Sequence, residues 1–244
     1  MRGPVSADRD AILANLALVK AERSRRSDDT VLGRKVVALK AFQQRRFSRS
    51  YPDLLASERY GPAARYFLEE LYGPKDFTRR DAQFEKMVSG LGTFFPPEVV
   101  RTVARVAELH ALSEVLDTAM CEQLRSAEIA AADYVRAWQA VARPADRRRQ
   151  VTLSIGVAQT LDGLTRKPML RRALHLMRTP ARAVGVYELH RFVEAGFDAF
   201  VEMRGASEFI ATVQSREDAF AAAIFAADAA DSRAWSAGVL AALS

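Results

Sequence analysis

The sequence predicts an all-α, single-domain multi-helix bundle of eight to ten helices with one or two long central helices, and three observations carry that prediction. Alanine is abundant while the 244 residues hold only 12 glycines and 9 prolines, a balance that favours helices. Runs of β-branched residues are scarce, and such runs are what strands are made from. Apolar residues recur at three- and four-residue spacing through most of the chain, which puts them on one face of a helix. No low-complexity linker or solenoid-period repeat interrupts the chain, so residues 1–244 read as one helical domain.

The first helix starts at Ser6, a capping hydroxyl, carries Ile12, Leu13, Leu16 and Val19 on one face, and fades over 23–29. A second spans 30–49 with Leu32, Val36, Leu39, Ala41 or Phe42, and Phe47 on a rough apolar face, and Ser50-Tyr51-Pro52 closes it. Together they form an N-terminal hairpin over 6–50 that can stand at the periphery of the domain. A helical turn from Asp53 leads into the most distinctive stretch, 60–87, where aromatics precede a Gly73-Pro74 turn and Asp76 caps the helix that restarts at Thr78. Around that turn Glu69, Glu70, Asp76, Arg79, Arg80 and Asp81 form a structural charge network, with the two arginines pairing the carboxylates.

Pro96-Pro97 forces a fresh start, and 98–141 then runs helical as one long helix or as two with a kink near Ser126. Segment 146–164 alternates at Val151, Leu153, Ile155 and Val157, yet Leu153, Val157, Leu161 and Leu164 also fit helical spacing, so it reads as helix despite Gly156. A short helix follows over 167–178. Thr179-Pro180 then opens a helix carrying Val186, Leu189, Val193, Phe197, Phe200 and Val201, which ends at Gly205. Helices over 207–230 and 232–243 complete the chain.

The run YFLEELYGPKDFTRRD, residues 66–81, resembles the FFLxxLYGPxDFxxRD signature of a family of bacterial proteins of unknown function, with a looser similarity around 109–117. The resemblance implies a bacterial, helical protein and carries over no catalytic residue.

Composition narrows function mainly by exclusion. There is no apolar N-terminal leader and no run near the ~20 apolar residues a membrane-spanning helix needs, so the expected location is the cytoplasm. The single Cys121 excludes an intramolecular disulfide. Net charge is +6 and thirty of the 36 basic residues are arginine, in clusters at 23–26, 45–49, 147–149 and 166–172. Those clusters could bind phosphate, but acidic residues are interspersed and no nucleic-acid-binding module accompanies them. P-loop, dinucleotide, Cys-x-x-Cys, His-Glu-x-x-His and Gly-x-Ser-x-Gly patterns are all missing.

What remains is a polar line. His110, Glu114, Asp117 and Cys121 fall at i, i+4, i+7 and i+11, one helical face that continues the apolar Val99, Val103 and Val106. His190 and Glu194 repeat the i, i+4 pair on a second helix, and Glu70, from the signature helix, is a further carboxylate that could join them. His110, Glu114, Asp117, His190 and Glu194 could together hold a transition metal if the two faces meet. The plainer reading is that each imidazole is satisfied by its own neighbouring carboxylate. His175, flanked by Arg171, Arg172 and Arg178, reads as an exposed member of a basic face, and Cys121 as a packing residue.

The leading expectation is therefore a non-enzymatic helical interaction or scaffold protein, with a homo-oligomer or protein partner docking on an amphipathic helix such as 207–230. A metal- or small-molecule-binding bundle is the alternative, and nucleic-acid binding the second.

Overall fold

A computed structural model describes residues 4–70, 78–94, 96–228, 239 and 242–243. These form twelve helices and no strand. The two beyond the expected eight to ten are short, α3 (Pro52–Ala56) and α10 (Arg178–Ala183). Helix α1 (Pro4–Asp28) begins before Ser6, with Pro4 at its start, where a missing N–H costs nothing. It stops at Asp29, whose carboxylate accepts from the Val31 and Leu32 amides at 2.9 and 3.0 Å and so caps α2 (Thr30–Ser50).

Helix α4 (Gly61–Glu70) and α5 (Thr78–Phe94) flank the signature, whose Gly73-Pro74 turn and Asp76 cap lie outside the described residues. The long central segment is two helices. Helix α6 (Pro97–Gln123) ends at Leu124 and α7 (Ala131–Val141) follows, with the Ser126 hydroxyl engaging the Glu128 backbone in between. Helix α8 (Pro144–Thr165) is unbroken across Gly156, so the alternating Val151–Val157 pattern is helical.

After α9 (Pro168–Leu176) the six-residue α10 starts at Arg178 with Met177 as its N-cap, so Thr179 and Pro180 lie inside the helix and do not open it. Gly185, at φ 73°, turns the chain into a separate α11 (Tyr187–Glu202). Sequence spacing missed this break because the apolar pattern runs on beyond it. Helix α12 is Ser207–Ala226, and of the helix expected over 232–243 only Val239, Ala242 and Leu243 are described.

Helix α6 is the axis. It packs most extensively against α1 and also against α2, α5, α7 and α8. One apolar cluster joins α2, the end of α6, α7 and α12 around Leu39, Met120, Tyr134 and Ile224, all fully buried or nearly so. A second joins the end of α2 with α4, α8, α11 and α12 around Tyr51, Phe200 and Met203. The third, around Ile12, Val88 and Val100, binds α1 and α5 to the first half of α6. The N-terminal helices thus contribute to all three clusters and are not peripheral to the core. Helix α12 spends Phe209, Ile210, Phe220 and Ile224 on the interior, so it has no spare apolar face for a partner along those positions.

Candidate functional site

The polar line on α6 turns inward as its spacing predicts. Glu114, Asp117 and Cys121 are buried, at 2%, 7% and 0% exposure. A buried carboxylate needs a cation or donors, and α1 and α2 supply them. Glu114 Oε1 accepts from Lys40 Nζ at 2.8 Å and Oε2 is paired with Arg26 Nη1. Arg26 also donates from Nε to the Thr118 hydroxyl at 3.1 Å and from Nη2 to the Glu114 carbonyl at 2.6 Å. Gly33 makes this reach possible, because a Cβ there would stand 2.8 Å from the Arg26 carbonyl oxygen. The start of α2 can therefore press against the last turns of α1.

Burial alone would raise the Glu114 carboxyl, but Lys40 and Arg26 outweigh it and hold the group at about 2. Glu114 is thus a fixed anion with both oxygens engaged, far from the near-neutral pKa that general acid–base work favours. Asp117 differs. Burial pushes its pKa up against the opposing charge of Lys40, and Gln43 Nε2 donates to Oδ1 at 2.9 Å. Cys121 is pushed up to about 12, first by burial and then by the Asp117 charge. At neutral pH it is a protonated thiol and not a nucleophile.

His110 faces α5. Its Nε2 lies 3.1 Å from Asp81 Oδ2, and Arg23 Nη2 lies 2.7 Å from the same oxygen. Burial raises Asp81, yet His110, Arg23 and Arg80 together bring it below the ordinary carboxylate range. Asp81 therefore ties the signature to the α6 network.

The rest of the expected signature network is distributed differently. Arg80 Nη1 is 3.4 Å from the Glu70 carbonyl and 3.9 Å from its carboxylate, and its guanidinium lies over the Phe192 ring at 4.2 Å. Arg79 reaches away to Glu188 at 2.9 Å. Glu69 is exposed, and Asp76 is outside the described residues.

His190 and Glu194 form a separate arrangement. His190 Nε2 donates to the Leu174 carbonyl at 2.9 Å, which fixes that nitrogen as protonated, while Nδ1 is buried without a partner among the described residues. Glu194 accepts from Arg178 Nε at 2.8 and 2.9 Å and has His175 Nε2 at 3.4 Å. His175, expected on an exposed basic face, is thus half-exposed and partnered by Glu194 and, at 4.0 Å, Asp198.

The two His/Glu pairs share no bonding partner. Among the described residues, no group of three or more His, Cys, Asp or Glu side chains is arranged to hold a metal ion. The residues that sequence reasoning missed are the donors that face these carboxylates, three cations and one amide. Arg23 and Arg26 stood in a cluster considered for phosphate, and Lys40 and Gln43 sat unremarked on α2. The other arginine clusters are also largely engaged. Arg46 grips Glu217 at 2.8 and 3.2 Å, Arg149 grips Glu108 at 2.8 and 2.9 Å, and Arg147 is buried over Trp138.

Large apolar side chains are exposed on α1, α2 and α11 as well, at 42–57% for Leu13, Leu18, Val31, Val37 and Val193, but the two most exposed among the described residues both lie on α9. Helix α9 buries no residue, and Met169 and Leu176 are 73% and 77% exposed. Met169, Ala173 and Leu176, at i, i+4 and i+7, form a strip on its solvent side. Met177 and Val184, at 43% and 53% exposure, bracket α10. No helix of the described residues is long and apolar enough to cross a membrane.

No curated protein and no solved structure matches this chain. One family model does match, described as "Domain of unknown function (DUF8198)", over residues 22–231. That span includes both carboxylate networks, the signature segment and the α9–α10 face, and the chain belongs to this family of unknown function.

Proposed function

We propose that the chain is a non-enzymatic helical interaction protein that docks a partner through the outward face of α9 and α10. The observation that carries this reading is the exposed Met169–Ala173–Leu176 strip on a helix that gives no buried residue to the core. Single exposed apolar side chains are ordinary, whereas a row of them on one helical face marks a surface that water leaves when a partner arrives. Helix α9 is also held firmly. Arg171 Nε bonds Asp198 at 3.0 Å and the His190 ring bonds the Leu174 carbonyl, so the strip is presented on a fixed backbone. Preorganisation of that kind lowers the entropic cost of docking. The absence of an open carboxylate or thiol in the α6 network fits a structural role for that network. The same reading takes the cytoplasm as the protein's location, with which a single free, buried cysteine is compatible.

The test is site-specific photocrosslinking in cells, with a benzophenone side chain at position 176 and a control at the exposed Arg136. A discrete adduct from position 176, abolished by Met169→Asp and not formed from position 136, is the expected result. No adduct from 176, or the same adducts from both positions, refutes the proposal.

A further inference from the structure

The charge around the strip identifies the chemistry of what docks there. From Arg166 to Val184 the chain carries six Arg or Lys and no Asp or Glu. Four of those cations have carboxylate partners: Arg166 with Asp162 one turn back at the end of α8, and, on other helices, Lys167 with Glu98, Arg171 with Asp198 and Arg178 with Glu194. Each of the four still has roughly half or more of its side chain in solvent, at 67%, 56%, 47% and 50%. Arg172 and Arg182 have no carboxylate partner among the described residues; Arg182 instead donates to the Tyr187 hydroxyl at 3.1 Å. The face is therefore an apolar strip of Met and Leu with an arginine rim and an excess of positive charge. Interface cores are enriched in Met and Arg and depleted in Lys, Asp and Glu, and this surface has that composition.

Resting on the docking reading above, we infer that the partner is an acidic amphipathic segment of another protein, with apolar anchors against Met169 and Leu176 and flanking Asp or Glu against Arg172, Arg178 and Arg182. A second copy of this chain fits poorly, since a two-fold interface sets the same patch against itself and opposes arginine to arginine. A nucleic acid would use the arginines and leave the apolar strip without a contact. A lipid surface is served by a helix free to sink its apolar face ~5–10 Å into the headgroups. Helix α9 has only nine residues and is fastened to α11 by the Arg171–Asp198 pair and the His190–Leu174 bond.

The experiment selects a random 16-residue peptide display library on the intact protein, with counter-selection on Leu176→Asp. Both Leu176→Asp and Met169→Asp replace largely exposed side chains, so a thermal melt matching wild type confirms that each is folded. The expected outcome is enrichment of peptides with helically spaced Leu, Ile, Phe or Met flanked by Asp and Glu. A synthetic winner should bind at least ~10-fold more weakly to either variant. It should also weaken, and lose salt dependence, with Arg172→Glu plus Arg182→Glu. Winners that need Leu176 but show no acidic bias overturn the partner chemistry and leave the docking face standing. An absence of any Leu176-dependent winner overturns both. Leu176-dependent flotation with phosphatidylglycerol vesicles overturns the acidic-protein partner in favour of a lipid surface.

Discussion

Replacing Glu114 with glutamine tests the central network most directly, because it removes one charge and keeps the shape. In the folded chain the carboxylate is 2% exposed and faces Lys40 Nζ at 2.8 Å and the Arg26 guanidinium. Its folded-state value of about 2, against an ordinary 4.5, is the balance of a burial penalty and a larger attraction from those cations. A difference of that size corresponds to about 3 kcal/mol, inside the ~3–5 kcal/mol seen when one partner of a buried pair is removed. Because the folded pKa is depressed, this stability is fully present above pH 4.5 and is lost as pH falls towards about 2. The assay is urea denaturation of wild type and Glu114→Gln at pH 7, 5, 4, 3 and 2.5. The gap should be about 3 kcal/mol at pH 7, hold to pH 5 and then close, since wild type protonates into the state that glutamine mimics. Adding Lys40→Met to Glu114→Gln should restore part of the loss, because it removes the stranded cation. A gap below ~1 kcal/mol at pH 7, or one that stays constant from pH 5 to 2.5, refutes the reasoning.

Three further outcomes follow from the same geometry. Asp117→Asn should raise the melting temperature at pH 7. The buried Asp117 has a raised pKa, so its ionisation opposes folding as pH climbs above the unfolded value, and an asparagine oxygen can still accept from Gln43 Nε2; the gain should disappear near pH 3. Gly33→Ala should destabilise by about 1–3 kcal/mol despite alanine's better helix propensity, because its Cβ would stand 2.8 Å from a backbone oxygen that cannot rotate away; a melting temperature at or above wild type would count against the α1–α2 contact. Asp29→Ala should cost about 1 kcal/mol in denaturant titration by leaving the Val31 and Leu32 amides without their cap, and no change would mean water replaces that cap.

Local signals in the sequence decided most of the fold. The break near Ser126, the fresh start at Pro97 and the helix across Gly156 all depend on residues within a turn or two of the event. The failure at Gly185 is also local: the apolar spacing continues through it, and only the positive φ reveals that the chain turns. The candidate network divides along the same line. That His110, Glu114, Asp117 and Cys121 share a face follows from helix geometry, and that the face is buried follows from its apolar continuation. That Arg26 and Lys40 neutralise Glu114 does not follow, because these residues are 88 and 74 positions away and meet it only through the packing of α1 and α2 on α6. An arginine cluster reads the same whether it faces phosphate, solvent or a buried glutamate.

The contrast between α6 and α9 is the strongest reason to separate stability from function in this chain. Buried ion pairs return little net stability over an apolar core, so a network joining α1, α2, α5 and α6 is explained better by specificity of packing than by strength. Arg26 meets its partners in one register only. A one-residue shift along α6 would turn Glu114 by roughly 100° and leave two cations buried without a counter-charge. That defines how the helices sit. Helix α9 has the opposite character. It adds nothing buried to the core, keeps two large apolar side chains in water and is pinned by bonds that hold its backbone without covering its outer face. Packing does not require Met169 or Leu176 where they stand. On the docking reading proposed above, their exposure is accounted for by a partner, and the arginines beside them describe its charge.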